Sequence, residues 1–148
     1  MAASEVDFVL VDSRPLLRSA SPLLEEGLAA IQARGMSTDM CFGDLYAELL
    51  AGRLACRLIR LDTEVIGFVI TEVVPEHNGD KTLCVSYIYG DRPTVDVTEA
   101  VVDELSFCAH EQGCSNIRFK TIRTGWERRL ARFGFHPTAV ELTKAVGG

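Results

Sequence analysis

TLCVSYIYGDRPTVDVTEAVVDELSFCAHEQGCSNIRFKTI, residues Thr82 to Ile122, changes its hydrophobic period twice. Thr82 to Tyr89 is a β-rich run and reads as a strand. Val97, Val101, Leu105, Cys108 and Ala109 then recur at spacings of three or four, the pattern of a helix with one face on a core. Asp96, followed three residues later by Glu99, resembles a capping box with Asp in place of Ser or Thr. Gly113 ends the helix, and Ile117 to Ile122 alternates as a second strand. Two strands joined through a helix lie parallel with a right-handed crossover.

Upstream, the period is two. Cys56, Leu58 and Arg60 point one way and Arg57, Ile59 and Leu61 the other, Asp62 and Thr63 make a short turn, and Val65 to Val74 is a long β-branched run. The cluster PEHNGD, Pro75 to Asp80, is a turn that delivers the chain to the strand at Thr82. The sequence therefore predicts an antiparallel three-strand meander. Before it, Leu45, Tyr46, Leu49 and Leu50 form a helical stripe bracketed by Gly43 and Gly52. Leu23, Leu24, Leu28 and Ile31 form another, stopped by Gly35, with Pro15 and Pro22 punctuating the polar stretch ahead of it. Phe8 to Val11 is a first short strand. At the other end, GWERRLARFGFHPTAVELTK, Gly125 to Lys144, reads as a short helix, a Gly-Phe corner and a closing strand over Ala139 to Ala145. The expected order is β-α-α-β-β-β-α-β-α-β, an α+β domain with a mixed central sheet.

Composition narrows the function classes. The 148 residues suit one domain, 1–148, and the net charge of −6 speaks against a dedicated binder of the nucleic-acid backbone. No apolar run approaches the ~18 residues of a membrane span. The opening MAASEVDFVLVD has no basic n-region, so a soluble, cytoplasmic protein is expected. Cys41, Cys56, Cys84, Cys108 and Cys114 contain no CxxC pair and fall mostly in apolar patterns, which reads as reduced core thiols. His77, His110 and His136 are scattered, and no zinc-type ligand spacing occurs.

The element order, with two helices after the first strand, a meander and a βαβ unit finished by helix and strand, resembles the GNAT acyltransferase superfamily. The Gly134-Phe135 corner is the most specific shared feature. The resemblance implies a cosubstrate, acetyl-CoA or another acyl-CoA, lying in a splay between the two parallel strands. It implies no metal. The backbone of Ile88 and Tyr89 would pair with the pantetheine, and the amides of Val95 to Val97 would meet the pyrophosphate. The family's Q/RxxGxG/A turn is altered here. With Arg92 in the first position, Val95 and Val97 stand where small residues belong, Pro93 removes a donor, and Asp96 adds negative charge, leaving Arg92 and Thr94 to compensate. Counting back from Gly134, the family's frequent tyrosine acid corresponds to Leu130, its small alanine to Trp126 and its asparagine to Arg123. Leucine has no proton to give, and the Trp126 indole is large enough to enter the splay.

Several residues carry two readings. Trp126, Leu130 and Phe133 at i, i+4, i+7 form a core stripe, or Trp126 shapes a ligand cleft. Tyr87 and Tyr89 share a strand face, for packing or for orienting an acceptor and moving a proton. Glu72 is a solvated strand end, or a base for an amine. Arg118, Lys120, Arg123, Arg128, Arg129 and Arg132 are a solvated face, or the place where a phosphate-bearing ligand or acidic partner is met.

Two functions follow from the resemblance. One is acyl transfer from acyl-CoA to an amine on a small molecule or a protein, with Glu72 or Tyr87 handling protons. The other is a fold that has lost this chemistry and serves as an interaction or assembly component, with a protein partner or a second copy of itself. Compact members with an altered loop resemble bacteriophage GNAT relatives, among which virion-associated and nucleobase-modifying forms both occur. DNA-base modification is a third class, which the arginines keep open against the acidic charge.

Overall fold

The alternation in the meander produces an antiparallel sheet with a different helix layer on each face. The computed structural model of the protein describes residues 5–34, 40–92, 94–120, 124–139, 142 and 144–147. Its elements are β1 (Val6–Leu10), α1 (Arg14–Ala33), α2 (Phe42–Leu50), β2 (Ala55–Leu61), β3 (Glu64–Pro75), β4 (Lys81–Gly90), α3 (Thr98–Glu111), β5 (Asn116–Phe119) and α4 (Thr124–Ala131). The sheet order is β1-β2-β3-β4-β5. Every pairing is antiparallel except β4 with β5, which is parallel as the intervening helix requires. The fold is the expected mixed α+β sheet.

On one face, Cys56, Leu58, Phe68, Ile70 and Tyr87 pack under α1 and α2, which contribute Leu17, Leu24, Leu28, Ile31 and Leu45. On the other, Ile59, Val69, Leu83 and Val85 pack under α3 through Val101, Leu105 and Cys108. Among the described residues no helix is long and apolar enough to cross a membrane.

Two expectations are corrected and a third lies partly outside the described residues. Helix α1 begins at Arg14, so Pro15 and Pro22 lie inside it and do not precede it. Pro15 occupies the first turn, where its missing N–H is no loss. Pro22 is exposed, and the buried stripe of Leu17, Ala20, Leu24, Leu28 and Ile31 continues through it, so tertiary burial outweighs the local penalty. The Asp96–Glu99 capping box does not form: α3 starts later, with Val97 at the N-cap, and Asp96 accepts instead from the Thr98 amide at 2.9 Å. The closing strand over Ala139 to Ala145 falls partly on positions 140, 141 and 143, outside the described residues. The described positions of that stretch are not in a strand.

The β2–β3 hairpin closes through Asp62 and Thr63, both with positive φ (49° and 74°). Asp tolerates this region, whereas a β-branched residue is strained there. Thr63→Gly is therefore expected to stabilise the protein by about 0.5–1 kcal/mol, the relieved strain being partly offset by the greater freedom of the unfolded chain. Denaturant melts would register this as a higher midpoint at unchanged slope.

Candidate functional site

The parallel pair is short. It runs from Thr82 opposite Asn116 to Val85 opposite Phe119, with one further bond from the Lys120 amide to the Val85 carbonyl at 3.3 Å. Strand β4 continues to Gly90. Beyond Val85 its β5-side edge therefore has no strand neighbour among the described residues. An extended ligand could pair with these backbone groups as an added strand does. Ile88 and Tyr89, expected to meet pantetheine, lie on this segment.

A bulge sets which side chains attend that edge. Ile70 pairs with Tyr87 and Thr71 with Val85, so Ser86 is the extra residue in β4. The bulge turns Tyr87 onto the α1 face, while Val85 and Leu83 before it face α3. Tyr89 follows on the α1 face, packed on Phe68 with ring centroids 5.7 Å apart. The Tyr87 hydroxyl donates to Met40 Sδ at 3.7 Å, a neighbour from just before α2 that local sequence patterns do not reveal. Burial, with Glu26 and Asp91 nearby, raises the Tyr89 phenol above its ordinary pKa, so it keeps its proton at neutral pH.

Glu72 sits on the same face, opposite Cys84 and one row along from the Ile70–Tyr87 pair. It is exposed, and among the described residues it has no hydrogen-bond or ion-pair partner. Cys84 is buried and receives a long contact from Arg118 Nη1 at 3.9 Å. The next carboxylate, Glu76, is engaged: it accepts from Thr82 Oγ1 at 2.8 Å and from Arg118 at 3.0 Å. These two bonds, the Thr82 one foremost, hold its carboxyl below the usual range. Sequence reading did not place Arg118, Glu76 and Thr82 together, because the partners are remote along the chain.

The loop from Asp91 to Val97 joins β4 to α3. Arg92 is not an open cation: it pairs with Glu64 at the start of β3 and with Asp91 at 3.0 Å. Thr94 is exposed and Val95 half-buried, and Val97 caps α3 without a side-chain bond. Asp96 Oδ1 accepts from the Thr98 amide and, at 2.6 Å, from the Thr98 hydroxyl, while Oδ2 lies 3.4 Å from Arg132, just after α4. The Thr98 bonds, helped by the charges of Arg129 and Arg132, keep the Asp96 carboxyl ionised well below the usual range.

Helix α4 meets the end of β5. Trp126 stacks on Phe119, the last paired residue of β5, with centroids 6.1 Å apart and planes inclined by 25°. Phe135 of the Gly-Phe corner meets the same ring edge-on at 5.4 Å. The indole therefore stands at the end of the described β4–β5 pairing. Leu130 is buried, as a core residue should be. Phe133, expected in the same stripe, is 37% exposed, because α4 has ended at Ala131 and helical spacing no longer places it. Arg123 lies outside the described residues.

All five cysteines are free, with Cys41 exposed, Cys114 half-buried and the others buried. Burial pushes the Cys56 thiol up to about 12 and raises Cys84 and Cys108 as well. An aromatic disulfide reagent at pH 8 is expected to titrate Cys41 and Cys114 in the native protein and the other three only after unfolding. Among the described residues no group of three or more His, Cys, Asp and Glu side chains is placed to hold a metal ion.

No family model and no curated protein matches the chain by sequence. Solved structures do match. A ribosomal-protein-alanine N-acetyltransferase from Brucella melitensis biovar Abortus 2308 is 22% identical with a TM-score of 0.66, over 97% of this chain and 100% of that one. A "predicted acetyltransferase with acetyl-CoA" from Clostridium acetobutylicum is 14% identical with a TM-score of 0.70, over 94% and 96%. An aminoglycoside N-acetyltransferase in complex with CoA is 16% identical with a TM-score of 0.71, over 98% and 97%. At these identities what is shared is the fold.

Proposed function

We propose that this chain, which has the GNAT acetyltransferase fold, moves an acetyl or related acyl group from acyl-CoA to an amine. The observation that carries the reading is the end of the described β4–β5 pairing at Val85 and Phe119 while β4 runs on to Gly90, which leaves backbone donors and acceptors of β4 without a strand neighbour among the described residues. Buried or half-buried strand edges normally find partners, and a pantetheine arm is an extended amide chain of the right chemistry. Two of the similar structures were solved with acetyl-CoA or CoA.

In this reading the Ile88 backbone aligns the thioester, while the Tyr89 carbonyl is turned toward Gly67 of β3. The amine attacks the carbonyl carbon, the C–S bond breaks, and the sulfur leaves as CoA thiol. One proton must leave the nitrogen and one must reach the sulfur. Leu130 has no proton to give, which assigns the second task to Tyr87 on the α1 face of the same edge. Glu72, one row away with no partner among the described residues, takes the first. Trp126 lines the mouth of the cleft through its stack on Phe119. Thr94 and the amide of Val97 border the phosphate end, whereas the Val95 amide already donates to the Arg92 carbonyl at 3.1 Å. The acceptor class is an amine, on a small molecule or a protein. Thiol release from acetyl-CoA, measured across a panel of small amines and amine-bearing peptides, tests the reading: amine-dependent release is expected, and release at the blank rate with every acceptor would defeat it.

A second reading, a GNAT-fold interaction or assembly component of the kind found in virions, is favoured by the loop itself. Arg92 is already paired and Asp96 places a carboxylate at the start of α3. Light scattering decides between the two together with turnover: a monomer that consumes acetyl-CoA excludes the second, and a stable oligomer without turnover excludes the first.

A further inference from the structure

We propose that Arg129 of α4 and Arg132 in the turn after it are the phosphate-binding pair for the acyl donor, and that the Asp96 carboxylate is an internal anion occupying that pair until donor phosphate displaces it. The inference rests on the acyl-CoA reading above. A pantetheine arm laid along the open edge of β4 from Ser86 to Gly90 runs toward the loop at Asp91 and the start of α3. Its phosphates then need cations at that end of the strand. The loop offers only Arg92, which Glu64 and Asp91 already hold.

Across from the loop, α4 and the turn that follows it supply two more. Arg132 reaches Asp96 Oδ2 at 3.4 Å, and this is its one ion pair among the described residues. Arg129 acts on the same carboxylate through space and has no ion pair of its own among the described residues. One guanidinium thus contacts the carboxylate and the charge of a second acts on it, so two positive charges face one negative in a protein whose total is −6. A carboxylate is a poorer match for two guanidiniums than a phosphate, which carries more charge and more acceptor oxygens. Arg132 and Asp96 side chains remain 63% and 49% exposed, so water screens the pair and displacement is inexpensive.

The test compares acetyl-CoA with S-acetylpantetheine, which lacks the phosphates, by calorimetry on the full chain. Arg129→Gln and Arg132→Gln should each lower the ratio of the two affinities about tenfold, the size of a lost charge-assisted bond. Asp96→Asn keeps an oxygen for the Thr98 amide and removes the charge. It should raise the ratio about three- to tenfold, as expected for one like charge taken from a partly solvated site. Unchanged melting temperatures in the three variants would separate these effects from unfolding. If acetyl-CoA binds but the ratio stays fixed in the arginine variants, or falls in Asp96→Asn, the assignment of the pair is wrong while the acyl-CoA reading stands. If neither thioester binds any of the proteins, both fail.

Discussion

Gly67→Ala should lower stability by about 3 kcal/mol or more, at the upper end of overpacking effects. A methyl group at Gly67 would lie 2.0 Å from the Tyr89 carbonyl oxygen and 2.9 Å from the Gly90 Cα. Both are backbone atoms of the neighbouring strand, so no side chain can swing aside. The two glycines face each other in the register, Gly67 opposite Gly90, where β4 gives way to the loop. Relief would require the strands to separate at that point, breaking ladder bonds next to the proposed donor edge. Gly27→Ala is a useful comparison, since its Cβ would meet the Phe68 ring at 2.3 Å and Tyr89 at 2.9 Å. Rings can shift slightly, so a smaller loss is expected there. Urea unfolding followed by circular dichroism measures both. A Gly67→Ala protein as stable as wild type would mean that β3 and β4 lie further apart than described.

Tyr87→Phe is expected to reduce kcat for acyl transfer by about 10²-fold, the lower range for loss of a positioned proton donor, while KM for acetyl-CoA changes little. The hydroxyl is the group at issue, because the ring stays in the apolar cluster with Phe68 and Ile70. Losing the contact to Met40 should cost about 1 kcal/mol of stability or less. A large kcat effect with a small stability effect therefore separates chemistry from packing. An unchanged kcat would return Tyr87 to a packing role and leave proton delivery to another group.

Much of the fold was legible because it is written in local periods. The period of two from Cys56 to Ile59 reappears as opposite buried faces of one sheet, and the three-four spacing of Val101, Leu105 and Cys108 as the helix face that covers one of them. The parallel β4–β5 pair followed from the helix between them. What resisted reading was set by contacts remote in sequence. Pro22 looked like a boundary, yet the stripe from Leu17 to Ile31 carries the helix past it. Simple alternation would put Leu83, Val85, Tyr87 and Tyr89 on one face, and only the bulge at Ser86 divides them. Register irregularities of this kind depend on the partner strand, which local pattern does not contain.

The candidate site was legible as residue types but not as partnerships. Arg92 read as a compensating cation, and Glu64, 28 positions away, holds it. Asp96 read as added negative charge, and Arg132, 36 positions away, neutralises it. Trp126 read as a core or cleft residue, and its stack on Phe119 sets it at the end of the described β4–β5 pairing.

The claim that a thioester donor lies along the open edge of β4 is tested most directly by amide chemical shifts during titration with acetyl-CoA. Saturable shifts centred on Ile88 and Tyr89, with smaller ones at Thr98, are the predicted result. Saturation without movement of the β4 amides, or no saturation at millimolar acetyl-CoA, would contradict it.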